Sequence, residues 1–227
     1  MAGILRPTAT AENCGNICSG RVAAYRLDHM DIGVALRSFG KVDSEALAAQ
    51  ILAADEAVWN EYVERQKSYE VHEQTRSIVL LFAEVSNWPA VDVSKQPGWD
   101  RFAETAVPLM HQIIRNWYPS GGTIIRAMAA RLLAGGLILP HRDSHPSFGA
   151  GHRIHVPIAT NSRVRFMIDG RPVRLEVGHA YEINNQKTHS VMNKGETDRI
   201  HFIFDYVPPA AKQSGDAAPP HAGSDGS

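Results

Sequence analysis

Cysteine is nearly absent from this chain of 227 residues: there are two, Cys14 and Cys18, both in a polar N-terminal stretch. A C-x₃-C pair can close a small disulfide, but two thiols alone make a poor structural metal site, and unpaired thiols are the cytosolic norm. Long apolar runs are also lacking. None approaches the roughly 20 residues that cross a bilayer, and residues 1–13 have no continuous apolar core of the kind a secretory signal carries. Charge excess is missing as well, with 23 Lys and Arg against 24 Asp and Glu. A near-neutral chain has no electrostatic reason to seek nucleic acid or an anionic membrane. These absences lead to the expectation of a cytoplasmic protein with neither membrane nor nucleic acid as partner.

What remains is ordinary for a globular protein, 44% hydrophobic and 21% charged, and long enough for one domain with a sizeable core. Residues 1–20 read as a flexible lead-in and 21–207 as a single domain. Residues 208–227, PPAAKQSGDAAPPHAGSDGS, hold almost no large apolar side chains. Such a tail cannot offset its ordering entropy and is expected to be disordered.

The first half has helical periodicity in places. Leu47, Ile51, Ala54, Val58 and Tyr62 recur at helical spacing behind an N-cap at Asp43-Ser44. Phe102, Ala106, Leu109, Ile113 and Trp117 form a second stripe, in which Pro108 predicts a kink or an early end. The tryptophans and methionines of this half read as core. Residues 77–83 read as a strand between the two helices. From residue 123 the texture changes to short strands at 123–133, 153–160, 163–168, 172–177, 180–184, 189–193 and 199–206. Asp169-Gly170 is the strongest hairpin signal. Many short strands without intervening helices predict a mainly β, α+β architecture: a double-stranded β-helix, or cupin-like jelly roll, of about 121–207 packed against N-terminal helices.

Histidine is the unusual count. Seven of the eleven lie between His141 and His201, which points to one metal-dependent half. In an extended segment, residues two apart share a face, so His141 and Asp143 can reach one ion while Arg142 points elsewhere. Pro140 discourages a helix there. His189, from a different strand, completes a two-histidine, one-carboxylate set that holds iron(II) and leaves other positions open for a co-substrate and O₂. Arg199 offers a planar, permanently charged fork for the distal carboxylate of a dicarboxylate co-substrate. His141 and His145 also have the spacing of a helical zinc pair. Pro146, Ser147, Gly149 and Gly151 argue against a helix there. H-x-D alone is common by chance, and it is the combination that is specific.

The stretches RLLAGGLILPHRD (131–143), GHRIHVPIATN (151–161), YEINNQKTHSVMN (181–193) and DRIHFIFDY (198–206) resemble the aspartyl/asparaginyl β-hydroxylase family of Fe(II)- and 2-oxoglutarate-dependent dioxygenases. They cover about a third of the chain, and the helical half adds little to the match. The resemblance implies His141, Asp143 and His189 as iron ligands and Arg199 as partner of the 2-oxoglutarate C5 carboxylate. It places Arg153 and His155 at the other end of that co-substrate. The best-known animal members keep only the two histidines, so the presence of Asp143 makes this chain more similar to bacterial members, including those acting on free amino acids. A small hydroxyl residue of the animal members falls at Ala130.

The expected activity is hydroxylation of an unactivated C–H bond of an amino-acid side chain, free or in a peptide, with aspartate or asparagine first by analogy. Fe(II), 2-oxoglutarate and O₂ are the implied cofactor and co-substrates. The competing class is a cupin-like metal-binding protein or isomerase without oxygenase chemistry. Such a barrel has no need of Arg199, Arg153 and His155 as a dicarboxylate clamp. A purely structural domain would leave the clustered histidines to coincidence.

Overall fold

The computed structural model describes residues 20–22, 31–61, 74–87 and 90–209. Cys14, Cys18, Tyr62 and nearly all of the expected tail lie outside the described residues. The elements in chain order are β1 (Gly20–Val22), β2 (Leu36–Lys41), α1 (Glu45–Leu52), α2 (Glu56–Trp59), β3 (Thr75–Glu84), β4 (Val91–Lys95) and α3 (Gly98–Trp117). These are followed by β5 (Thr123–Leu132), β6 (Leu137–His141), α4 (Pro146–Gly149), β7 (His152–Ala159), β8 (Val164–Ile168) and β9 (Arg171–Val173). The last three are β10 (His179–Ile183), β11 (His189–Asn193) and β12 (Arg199–Val207).

The strands build two antiparallel sheets. One has eight strands in the order β1-β4-β3-β5-β12-β7-β10-β2, and the other has four in the order β6-β11-β8-β9. Together they make a jelly roll, with helices on the outer face of the larger sheet. Two apolar clusters follow from this layering. The larger one, between sheet and helices, takes Ile125, Ala127 and Ala129 of β5, Ile154, Val156 and Ile158 of β7, and Ile200, Phe202, Phe204 and Tyr206 of β12. The smaller one, between the two sheets, takes Leu132, Phe166, Ile168, Tyr181, Ile183 and Val191. Strands such as β5 are therefore covered on both faces, which is why their sequence alternates so weakly.

The helices differ from the periodicity in three respects. The first stripe is divided: α1 ends at Leu52, and Asp55 caps α2 by accepting from the Val58 N–H at 3.1 Å. A local cap competes with helix continuation. Ser44 occupies the N-cap position of α1 without a side-chain cap bond. Helix α3 does not end early at Pro108 but continues to Trp117; its buried face (Phe102, Ala106, Leu109, Met110, Ile113, Ile114) is seated on β3, and this packing outweighs one lost backbone bond. Trp117 is 49% exposed rather than core, stacked on Phe39 at 4.6 Å between centroids.

The first half also supplies four strands, β1 to β4, of which the sequence predicted only β3. Gly20, assigned to the lead-in, already belongs to β1. Strand β9 is shorter than its predicted span, ending at Val173, although Leu175 beyond it is buried. The Asp169-Gly170 hairpin stands as predicted: both residues have positive φ, 53° and 72°, and Ile168 pairs with Arg171 across the turn. Among the described residues no helix is long and apolar enough to cross a membrane.

Ile113 is fully buried where α3 meets the sheet. Ile113→Ala should cost about 2–5 kcal/mol of unfolding free energy through lost burial and the cavity left behind. Urea unfolding would measure it, and a loss under ~1 kcal/mol would mean that the helix is not seated as described.

Candidate active site

His141 reaches the interior through an irregularity in its strand. Val191 pairs with Ile138 and His189 pairs with His141, so two steps on β11 match three on β6. The extra residue is a β-bulge at Leu139-Pro140. Ile138 packs into the cluster between the sheets while Leu139 is exposed. Strict alternation from Ile138 would turn His141 outward, and the bulge restores it to the inner face. Proline, which cannot donate to a ladder, suits that position on the edge strand β6.

The two imidazoles are fixed in the same way. Nδ1 of His141 donates to its own strand's Leu139 carbonyl at 2.8 Å, and Nδ1 of His189 donates to the Lys187 carbonyl at 3.0 Å. Each bond selects the tautomer whose Nε2 carries the lone pair. The rings lie 4.3 Å apart between centroids, and Oδ1 of Asp143 is 4.0 Å from Nε2 of His141. Ligand atoms of His141, Asp143 and His189 all lie within 4.8 Å of one another. The loop bearing Asp143 is tied by its N–H to the Asn185 carbonyl at 3.2 Å, and Arg142 turns out to Thr188 at 3.0 Å. Burial lowers the pKa of His189 against the opposing pull of Asp143, so the ring stays neutral and able to ligate. Two imidazole nitrogens and one carboxylate oxygen on one side of a small space fit iron(II).

His145 stands apart from this set. It caps α4, its Nδ1 accepting from the Ser147 N–H at 3.1 Å. The helical pairing of His141 with His145 that the sequence argued against does not form: His141 ends β6, and the one helical turn of residues 146–149 begins only after His145. Pro146 is well placed to begin a helix, and one turn is too short to align His141 with His145.

Arg153 and His155 share the inner face of β7, as their spacing implied. Arg153 spans two carboxylates: its Nη1 donates to Asp143, while Nε and Nη2 grip Asp205 at 2.8 and 2.9 Å. His155 meets His201, Nδ1 to Nδ1, at 3.2 Å, and Nη2 of Arg199 donates to the same His201 nitrogen at 2.7 Å. Arg199 is 3% exposed, its Nε has no hydrogen-bond partner, and no carboxylate of the described residues pairs with it. Burial alone brings its pKa down to about 9, leaving it charged at neutral pH. A buried, unpaired guanidinium is costly unless an anion comes to it. Arg199 and His201 also form part of the wall of a cavity of about 480 Å³, with Asn161, Phe166, Arg165 and Arg174. Among the described residues no acidic side chain lines this cavity. Ala130 offers no hydroxyl, but Ser77 lies directly opposite it across the β3–β5 ladder and is buried.

Sequence reasoning did not single out Asp205, Arg126 or Phe148, and it gave His201 no role beyond the histidine cluster. A signal for two of them was available: Arg199, His201 and Asp205 share one parity on β12, opposite to Ile200, Phe202 and Phe204.

The sequence profile of the aspartyl/asparaginyl β-hydroxylase family matches residues 38–209. The chain belongs to this family. It is accordingly a hydroxylase of the iron(II)/2-oxoglutarate oxygenase class. The match reaches back through the helical half, further than the motifs alone did. No curated protein matches the sequence. A prolyl hydroxylase from Trichoplax adhaerens, solved with a hypoxia inducible factor oxygen degradation domain peptide fragment, is 11% identical over 76% of this chain and 83% of that one, with a TM-score of 0.51. The nickel complex of the non-heme monooxygenase ThoJ is 14% identical over 78% of this chain and 74% of that one, TM-score 0.49. HygX from Streptomyces hygroscopicus, solved with nickel, 2-oxoglutarate and hygromycin B, is 10% identical over 78% and 84%, TM-score 0.47. At 11% identity the first of these speaks to the fold alone.

Burial, then Arg199 and His155, holds the pKa of His201 well below its ordinary value of 6.5. As pH falls, the unfolded chain takes up this proton before the folded chain does. The stability His201 contributes is therefore complete above pH 6.5 and lost progressively below it, by about 1.4 kcal/mol per pH unit. In the metal-free protein, His201→Asn should flatten the acid limb of a stability profile between pH 7 and 5.5 by that slope. An unchanged limb would mean that His201 takes up its proton in the folded state.

Proposed function

We propose that this enzyme hydroxylates an unactivated C–H bond of an amino-acid side chain, free or within a peptide, with aspartyl or asparaginyl β-carbons first by family. In this reading His141, Asp143 and His189 hold iron(II). Arg199 receives the C5 carboxylate of 2-oxoglutarate, and Arg153 and His155 line the metal-proximal end of the co-substrate. Iron(II) with 2-oxoglutarate and O₂ supplies the oxidising chemistry and consumes the keto acid to succinate and CO₂; the protein's part is to bind, orient and exclude water.

The observation that carries this reading is Arg199, a buried cation that no carboxylate of the described residues pairs with, on the same face of β12 as Asp205, which Arg153 joins to Asp143. A cupin-like metal-binding module without oxygenase chemistry has no use for such a residue, because its burial is a standing cost that only a recurrent anionic ligand repays. His155 and His201 lie between the two ends, and the neutral state of His201 suits it to accept from Arg199 while the guanidinium faces a carboxylate.

The deciding experiment supplies iron(II) and 2-oxoglutarate and screens amino acids and peptides by mass spectrometry for a gain of one oxygen atom matched by succinate. Absence of succinate with every candidate, together with no 2-oxoglutarate binding, would refute the reading. His189→Ala should weaken binding of iron(II) or cobalt(II) by about 10-fold or more, because it removes one of the two imidazole donors of the set; anaerobic titration would show it, and wild-type affinity would remove His189 from the site. Arg199→Ala should raise the apparent KM for 2-oxoglutarate about thirtyfold or more, corresponding to ~2 kcal/mol for a lost charge-assisted contact, with metal affinity retained. Arg199→Lys should also be impaired, since an ammonium lacks the planar fork. An unchanged KM would place the co-substrate elsewhere.

A further inference from the structure

Two arginines, Arg126 and Arg153, lie over the same Phe148 ring, with guanidinium carbons 4.3 and 4.6 Å from its centroid. Like charges so close in a buried place require a counter-charge, and Asp205 supplies it. Its Oδ1 accepts from Nε of Arg153 at 2.8 Å, and its Oδ2 accepts from Nη2 of Arg153 at 2.9 Å and from Nη1 of Arg126 at 3.3 Å. Burial works against ionisation of Asp205, but the two arginines outweigh it and hold the carboxylate below its ordinary pKa. Arg126 is held on its other side by the Ser147 hydroxyl at 2.7 Å.

The grip on Arg153 is directional. A guanidinium held through Nε and Nη2 presents Nη1 on the opposite edge, and here Nη1 meets Oδ2 of Asp143. That leaves Oδ1 of Asp143 as the oxygen turned to Nε2 of His141. We propose that Asp205 is a positioning residue for the metal site: by fixing the plane of Arg153 it keeps Oδ2 of Asp143 occupied, so that Asp143 offers the metal a single oxygen. The consequence is chemical. A carboxylate that chelated through both oxygens would use a coordination position that a two-point keto acid and O₂ both require. The same bridge balances charge: Asp143 and Asp205 match Arg126 and Arg153, so a divalent ion enters a pocket without net repulsion from these four groups. This inference rests on the metal assignment above, and it concerns residues that do not themselves touch the ion.

The test is a cobalt(II) titration of the purified full-length protein, followed by visible absorption, alongside the melting temperature of each variant. Asp205→Asn should weaken cobalt(II) binding by about 10–100-fold and change the visible spectrum, because Arg153 is released and Asp143 changes its mode of donation. Arg126→Met removes an equally buried ion pair but leaves the Nε/Nη2 grip intact, so it should lower the melting temperature without weakening cobalt(II) binding or altering the spectrum. If Arg126→Met weakens binding as much as Asp205→Asn, the effect is general loss of the buried network, and the proposal is overturned. Wild-type affinity and spectrum in Asp205→Asn would overturn it as well. Should Asp205→Asn not fold, Arg153→Lys probes the same link from its other side. An ammonium cannot bridge both carboxylates in one plane, so binding must weaken and the spectrum must change, or the link is refuted. Failure of the wild-type protein to take up cobalt(II) would instead sink the metal assignment itself.

Discussion

Strand β12 carries two environments on one backbone, and the rest of the molecule is arranged around that fact. Its even-numbered residues, Ile200, Phe202, Phe204 and Tyr206, go into the apolar layer under the helices. Arg199, His201 and Asp205 go to the opposite face, between the sheets. A strand can do this only while its own alternation is unbroken, and β12 lies between β5 and β7 with a long ladder to each; the single register shift in each ladder places the extra residue on the neighbour, Ile125 or Ile158, and not on β12. The apolar face supplies the burial that makes the strand a fixed rail; the polar face uses that rigidity to hold charged groups where water is largely excluded. A one-residue slip would put Arg199 into the helix-facing core and Phe202 into the site.

The interior so formed is rich in charge for a buried place, and its two ends are compensated differently. Near the metal ligands, arginines and carboxylates alternate, from Arg126 to Asp205 to Arg153 to Asp143, so each has a partner of opposite sign. At the Arg199 end there is a neutral histidine and, among the described residues, no carboxylate. A protein selected for stability alone would place an acid there or dispense with the cation, since isolated buried charge is among the costliest features a fold can carry. The asymmetry is one of charge: one end is balanced within the protein, whereas the Arg199 guanidinium is buried without a carboxylate partner among the described residues.

The local devices that aim the metal ligands are short-range. Two backbone carbonyls, of Leu139 and Lys187, each two residues before a histidine, set the tautomers, and a one-residue bulge turns His141 inward. Helix α4 brings Phe148 under both arginines of the network. Within the hydroxylase family to which the chain belongs, this chain carries an aspartate beside the two histidines, and one oxygen of that aspartate accepts from Arg153.

The sequence by itself determined the features that depend on residue type and on a period of two. The H-x-D pair, the distant His189 and Arg199 were legible because a metal of this kind needs those donors, and because alternation on a strand puts residues two apart on one face. The Asp169-Gly170 turn was legible because few dipeptides accept two positive φ values. The jelly roll followed from many short strands without helices between them. Only the tertiary structure decided what depends on register between distant strands. The β6 bulge is invisible in LILPH, since it exists only relative to β11. Asp205 looks like one acid in an apolar strand until β7 places Arg153 opposite it. The division of the first helical stripe, the passage of α3 through Pro108 and the exposure of Trp117 were set by competition between caps, packing and propensity, which one periodic pattern cannot rank. Strands β1, β2 and β4 went unread because short segments at or next to the edges of a sheet owe their conformation to the neighbours they pair with. Residue chemistry is written locally, whereas pairing is a property of two segments far apart in the chain.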